Sequence, residues 1–160
     1  MFQRIAYNQS REENYKTLIG QLDALLAGEI NRIANLANAS ALLYQFMEDV
    51  NWAGFYLLQD DELVLGPFQG LPACTRIPLG KGVCGTAAVR METVRVEDVH
   101  QFPGHIACDA ASRSEIVVPM LFGGRLVGVL DIDSPKLNRF DAVDQTCLER
   151  FVEVLMQHWQ

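Results

Sequence analysis

The chain has 160 residues, which is enough for one domain with a substantial hydrophobic core. Apolar residues make up 49% and charged residues 21%, as is typical of a soluble globular protein. The net charge of −7 argues against nucleic acid or anionic membranes as partners, and the chain has neither a signal-peptide core nor an apolar run of the roughly 20 residues that span a membrane.

Two helical segments come first in the predicted order of elements. Leucines fall on one stripe in residues 12–27, and apolar residues recur with helical spacing in residues 29–50. Neither segment carries obvious chemistry. Such helices either cover one face of a sheet or pair with a second subunit. The sequence therefore leaves a homodimer as a possibility.

A hairpin of two strands is predicted next, over residues 51–58 and 62–69. Trp52 and Tyr56 have the same parity in the first strand, so their side chains lie on one face of the sheet. General burial tendencies favour core aromatics. The shared face also suits the apolar wall of a small pocket.

Two cysteines follow the hairpin. Cys74 lies in residues 71–79, which form a short strand or an irregular segment. Glycines in residues 80–90 lead into a short helix with Cys84 near its start. A helix N-terminus lowers the pKa of a thiol and binds anions through its free N–H groups.

A polar loop of about 17 residues, 97–113, follows a brief strand at 93–96. Loops of this length are typical of lids and binding segments. This one contains His100, His105 and Cys108. We interpret both histidines as solvated residues without a role, and Cys108 as an accessible thiol because its neighbours are polar.

A second hairpin is predicted by two apolar runs around the Gly-Gly pair at 123–124, because a two-residue primed turn needs the positive φ that glycine adopts cheaply. The second run ends in Asp131 and Asp133, which by strand parity share the face of Val127 and Val129. Two carboxylates at the end of an apolar strand are costly unless they are solvated or hold a cation. They are therefore candidate site residues.

The position of Glu115 is left open by this hairpin. With a strict two-residue turn, Glu115 lies opposite Ile132, on the face away from the aspartates. Glu115 lies on the same face as the aspartates only if one strand carries a bulge or the turn has an odd number of residues. Pro119 and Gly128, which face each other in that register, favour a bulge there.

A final helix is predicted over residues 141–159, capped by Asp141, with Cys147 on its apolar stripe as a small buried hydrophobe. The order of elements predicts an α+β fold: an antiparallel β-sheet with helices packed on one face and a loop-covered ligand pocket on the other. We expect a single domain, with the leading helices in residues 1–50 and the sheet, pocket loops and last helix in residues 51–160.

Several motifs in the second half of the chain resemble the GAF domain. They are GKGVCGTA at 80–87, IACD at 106–109, SEIVVP at 114–119 and VGVLDIDS at 127–134. The last motif indicates only a GAF domain, whereas Cys74, Cys84 and Cys108 in their contexts are similar to the free methionine-(R)-sulfoxide reductases. The resemblance covers nearly the whole chain and implies a GAF fold and a thiol-dependent oxidoreductase.

Redox roles for the three cysteines follow from this resemblance. A thiolate that attacks a sulfoxide becomes a sulfenic acid, which a second thiol resolves to a disulfide. Cys108 matches the family's nucleophile and Cys74 the resolving thiol, while Cys84 remains an alternative resolving thiol. The resemblance also implies free methionine sulfoxide as substrate, a thioredoxin-like reductant, a cytoplasmic enzyme of oxidative stress and no cofactor.

Substrate-binding roles are implied in the same way. A free amino acid carries an ammonium, which carboxylates hold best, and its thioether end needs an apolar wall. Glu115, Asp131 and Asp133 match the acidic residues that hold the ammonium and the sulfoxide oxygen, and the one whose pKa is raised would donate the proton. Trp52 and Tyr56 would form the wall.

The residues fit a zinc site and a non-catalytic module less well. A zinc site built from the cysteines and loop histidines is disfavoured, since the chain lacks any paired ligand spacing, and no metal is predicted. The alternative function is a non-catalytic GAF module that binds a small ligand or senses redox state. The pocket acids suit an ammonium better than the phosphate of a cyclic nucleotide.

Overall fold

The computed structural model describes residues 2–106 and 108–160. Its elements follow the predicted order, with a single 3-10 turn in the polar loop. They are α1 (Arg11–Leu26), α2 (Arg32–Phe46), β1 (Trp52–Gln59), β2 (Glu62–Gly70), β3 (Arg76–Pro78), α3 (Gly82–Arg90), β4 (Val94–Val96), β5 (Ser114–Phe122), β6 (Arg125–Ser134) and α4 (Ala142–Gln157).

Helix ends are set by capping side chains. Asn31 accepts a hydrogen bond from the Ala34 N–H, so α2 begins at Arg32, three residues after the predicted start. Asp141 caps α4 as predicted and forms a capping box with Asp144. Cys147 of α4 is half-buried, so it is less enclosed than predicted.

A six-stranded antiparallel sheet with the order β3-β2-β1-β6-β5-β4 forms the middle of the molecule. The main hydrophobic core lies between one face of this sheet and α1, α2 and α4. A second, smaller core lies on the opposite face, under α3. The α+β fold is therefore confirmed, and α3 is the helix on the pocket face. Of the two leading helices, α2 packs on β1 and β2, and α1 packs against α4 and α2. The homodimer stays a prediction.

Strand alternation separates the two cores. In β1, Ala53 and Phe55 pack into the helix-side core, whereas Trp52 and Tyr56 pack into the core under α3. The period of two in a strand produces this division. The prediction that Trp52 and Tyr56 share a face is confirmed.

A bulge in β6 places Glu115 beside the aspartates. The register shifts by one residue after the hairpin turn, between Leu126 and Gly128, so that Glu115 pairs with Asp133. Val127 is the extra residue and packs against the helix-side core. The prediction that Val127 shares the face of the aspartates is therefore wrong, because an added residue reverses strand parity on one side of the bulge.

The close approach of the β1 backbone to Gly128, the residue after the bulge, predicts that Gly128→Ala destabilises the protein. A Cβ at Gly128 would lie 2.4 Å from the carbonyl oxygen of Tyr56, and backbone cannot yield as a side chain can. We expect the free energy of unfolding to fall by about 1–3 kcal/mol in urea titrations. Gly20→Ala in α1 is the control: it meets no atom within 4 Å and should stabilise the helix slightly. Equal stability of Gly128→Ala and wild type would contradict the packing described.

Candidate active site

A pocket opens on the face of the sheet that carries α3, under the loop that follows β4. Cys74 reaches this pocket through a disulfide bond to Cys108. The other predicted site residues all line it: Trp52, Tyr56, Cys84, Cys108, Glu115, Asp131 and Asp133.

The floor of the pocket is a cluster of three carboxyl groups. Glu115 of β5 and Asp131 of β6 are each 6% exposed, and Asp133 is half-buried beside them. Burial raises the pKa of Asp131 to about 6, and burial together with the neighbouring carboxyls raises the pKa values of Glu115 and Asp133 well above their usual range. Among the described residues, Oδ1 of Asp131 has no hydrogen-bond partner. The cluster thus needs protons or a bound cation.

Cys84 lies in the first turn of α3, with its Sγ 3.9 Å from Oε1 of Glu115. Burial and the adjacent Asp131 and Glu115 raise the pKa of this thiol well above its usual value. The prediction that the helix N-terminus lowers this pKa is wrong. The partial charge of a helix end is outweighed by desolvation and by two carboxyl groups at close range.

A disulfide lies at the mouth of the pocket, where Cys108 is exposed. It joins Cys74, just before β3, to Cys108 in the loop after β4, with the two Cα atoms 5.8 Å apart. Cys108 is exposed and Cys74 half-buried, while Cys84 is a free, buried thiol. In this state Cys74, and not Cys84, is the sulfur partner of Cys108.

The two aromatic side chains form the wall of the pocket and also hold the segment that carries Cys74. The rings of Trp52 and Tyr56 stack with their centroids 5.9 Å apart. Nε1 of Trp52 donates to the carbonyl of Leu71 at 3.1 Å, and the Tyr56 hydroxyl donates to the carbonyl of Cys74 at 2.8 Å. These side chains are therefore core aromatics and pocket wall at once.

Comparison with known proteins places this arrangement in a family. The GAF domain model matches residues 34–159. The chain is 56% identical to the free methionine-R-sulfoxide reductase of Escherichia coli (strain K12), covering 91% of this chain and 88% of that protein. It is 46% identical to the enzyme of the same name from Saccharomyces cerevisiae, covering 92% of this chain and 87% of the relative.

A solved structure supports the same family assignment as these two relatives. It is the free methionine-R-sulfoxide reductase from Neisseria meningitidis in complex with its substrate, with a TM-score of 0.93 and 43% identity over 99% of this chain and 96% of the other. The chain belongs to the free methionine-R-sulfoxide reductases of the GAF family. Within the described part of the chain, no helix is long and apolar enough to cross a membrane.

The pocket is also lined by residues to which the sequence analysis gave no role. His105 is half-buried and lines the pocket, so it is less solvated than predicted, whereas His100 is exposed as predicted. Burial and the neighbouring His100 lower the pKa of His105. Asp109 and Ser112 also line the pocket. Their placement in a long polar loop beside Cys108 was the available signal.

Three possible cation ligands lie together at one corner of this pocket. One ligand atom each from Cys84, Glu115 and Asp131 lies within 4.8 Å of the others. This set differs from the cysteines and histidines weighed as zinc ligands in the sequence. Oxygen-rich surroundings of this size also suit an ammonium group, which makes charge-assisted hydrogen bonds to carboxylates.

Proposed function

We propose that this chain reduces free methionine-(R)-sulfoxide to methionine, with Cys108 as the nucleophile and Cys74 as the resolving thiol. One observation carries the proposal: the Cys74–Cys108 disulfide lies at the mouth of a pocket whose floor is a cluster of buried carboxyl groups. A disulfide is the product expected when one thiol resolves the sulfenic acid of another.

The proposed reaction balances in three steps. The Cys108 thiolate attacks the sulfoxide sulfur; with proton transfer to the oxygen, methionine leaves and Cys108 becomes a sulfenic acid. The Cys74 thiol then attacks the Cys108 sulfur, the disulfide forms and water leaves. A dithiol reductant exchanges with this disulfide and is itself oxidised, which returns both cysteines to thiols.

The proton in the first step would come from the carboxyl cluster. A carboxyl group that is neutral near pH 7 can donate a proton, which an ordinary surface carboxylate cannot. Burial raises the pKa values of Glu115, Asp131 and Asp133 in this direction. The remaining carboxylates would hold the substrate ammonium, whose charge favours their ionised forms.

The carboxylate and the thioether end of the substrate would each contact a different part of the pocket. The first turn of α3 brings Gly82 and Val83 to the pocket, and Lys81 stands beside them. Backbone N–H groups of a helix N-terminus and a lysine suit the substrate carboxylate. The rings of Trp52 and Tyr56 would take the thioether end.

The proposal includes a thioredoxin-like protein as reductant. Cys108 is exposed at the pocket mouth, where the thiol of a second protein can reach the disulfide. The proposal includes a cytoplasmic location, because cysteines are kept reduced in that compartment. The relatives do not favour the non-catalytic alternative.

Single-turnover chemistry tests the proposal and the role of Cys74 together. The reduced protein, freed of reductant, should release about one methionine per chain and gain the Cys74–Cys108 disulfide in peptide mass spectra. Cys74→Ser should still release about one methionine but stall with a thioredoxin-like reductant, because its sulfenic acid lacks the resolving thiol.

Cys84→Ser is the matched variant, since Cys84 is a free thiol in the same pocket. It should form the Cys74–Cys108 disulfide and keep steady-state turnover. Normal turnover of Cys74→Ser with a stall of Cys84→Ser would transfer the resolving role to Cys84. No methionine from the wild-type protein would reject the proposed function.

A further inference from the structure

Asn51 connects the sheet to the loop that carries Cys108. This residue directly precedes β1, and its backbone N–H donates to the carbonyl of Asp133 at 3.0 Å. Its side-chain Nδ2 donates to Oδ2 of Asp109 at 2.9 Å and to Oγ of Ser112 at 3.1 Å. One residue thus joins the main chain at Asp133 to the residue next to Cys108.

The orientation of this amide is fixed by chemistry. A carboxylate only accepts hydrogen bonds, so the nitrogen and not the oxygen of Asn51 must face Asp109. Oδ1 of Asn51 is then buried and has no hydrogen-bond partner among the described residues. Leaving a buried acceptor unpaired costs stability, so the amide holds the loop at some expense to the fold.

The contacts of Asn51 close one side of a compact turn. The Ala111 N–H donates to Oδ1 of Asp109 at 2.8 Å, and the Ser112 N–H donates to the Asp109 carbonyl at 3.2 Å. The next residue, Arg113, is held to the sheet through the Ser134 carbonyl. Among the described residues, Asn51 is therefore the side chain whose hydrogen bond ties Asp109, the start of this turn, to the sheet.

Cys108 depends on this tie differently in the two redox states. In the oxidised protein, the disulfide to Cys74 also holds Cys108. In the reduced protein that bond is absent, so the hydrogen bond between Asn51 and Asp109 would be left to hold the residue beside Cys108. The thiolate must meet the sulfoxide sulfur in the reduced protein, where a misplacement of an ångström costs about a hundredfold in rate.

We propose that Asn51 is a positioning residue that holds the reduced Cys108 over the carboxyl cluster through its hydrogen bonds to Asp109 and Ser112. The inference rests on the proposed reductase activity, and it goes further by separating the two half-reactions. Asn51 raises the rate at which Cys108 attacks the sulfoxide and has little effect on the rate at which the disulfide is reduced.

Steady-state kinetics with both substrates varied tests this separation. In Asn51→Ala, kcat/KM for methionine sulfoxide should fall about ten- to hundredfold, while kcat/KM for the reductant stays within about twofold of wild type. Asn38→Ala is the control, because Asn38 is exposed on α2. Thermal unfolding of each variant would establish that it is folded.

A swap of the two side chains tests the hydrogen bond itself. Asn51→Asp places two carboxylates in contact and should be at least as slow with sulfoxide as Asn51→Ala. In the double variant Asn51→Asp, Asp109→Asn, the new amide donates to the new carboxylate and its oxygen can still accept from Ala111. We expect the swap to recover most of the sulfoxide kcat/KM.

Failure of the proposed reductase activity and failure of the proposed role of Asn51 give different results. A wild-type protein that fails to reduce methionine sulfoxide would reject the proposed function. With an active wild type, the role of Asn51 is overturned if Asn51→Ala keeps the sulfoxide kcat/KM, if it lowers both kcat/KM values equally, or if the swap stays as slow as Asn51→Asp.

Discussion

Replacing Cys108 by serine is expected to lower kcat/KM for methionine sulfoxide by more than about a thousandfold, because a hydroxyl is a far poorer nucleophile towards sulfur than a thiolate. The fold should persist, since Cys108 is exposed and contributes little packing. Methionine release measured by chromatography, with circular dichroism as the check on folding, would establish both points.

Cys147→Ser is the control for this experiment. Cys147 is a half-buried free cysteine on α4, which lies on the face of the sheet away from the pocket. Its replacement should change the free energy of unfolding and leave turnover at the wild-type level. Sustained turnover by Cys108→Ser would remove Cys108 from the nucleophile's role.

Acetylation of the substrate nitrogen is expected to lower kcat/KM roughly thirtyfold to several thousandfold. N-acetyl-methionine sulfoxide keeps the sulfoxide and the carboxylate but loses the ammonium charge. The carboxyl groups that would hold the ammonium, Glu115, Asp131 and Asp133, would then lack their cation. A buried charge left unpaired costs on the order of 2–5 kcal/mol, which corresponds to that range.

Asp131→Asn should weaken this discrimination between the two substrates. Asp131 is buried and its Oδ1 has no hydrogen-bond partner among the described residues, so the change to asparagine removes a charge that would face the ammonium. The ratio of kcat/KM for the free and acetylated compounds is the quantity to compare, because it cancels a general loss of activity. Equal rates of the wild-type protein with both compounds would show that the carboxyl groups do not recognise the ammonium charge.

Much of the fold could be predicted from local patterns. The period of two places Trp52 and Tyr56 on one face, and the capping residue Asp141 marks the start of the last helix. These features depend on a few neighbouring residues, so a single sequence suffices to recognise them. The cysteines and acidic motifs likewise indicate the family.

Other features depend on contacts between distant segments. The polar loop indicated that Cys108 is accessible, but it did not indicate that His105 turns into the pocket. A helix start indicated a lowered pKa for Cys84, whereas burial against Glu115 and Asp131 raises it. The local rule failed here because desolvation depends on what packs over the thiol.

The sequence by itself determined the α+β class and the order of the elements and indicated the candidate reactive side chains, since these follow from periodicity, turn residues and motif resemblance. Only the tertiary structure decided that Glu115 joins Asp131 and Asp133, because a one-residue bulge at Val127 reverses side-chain parity and no periodic pattern reveals it. The structure likewise decided the bond between Cys74 and Cys108, which are 34 residues apart, since only folding brings their Cα atoms to 5.8 Å.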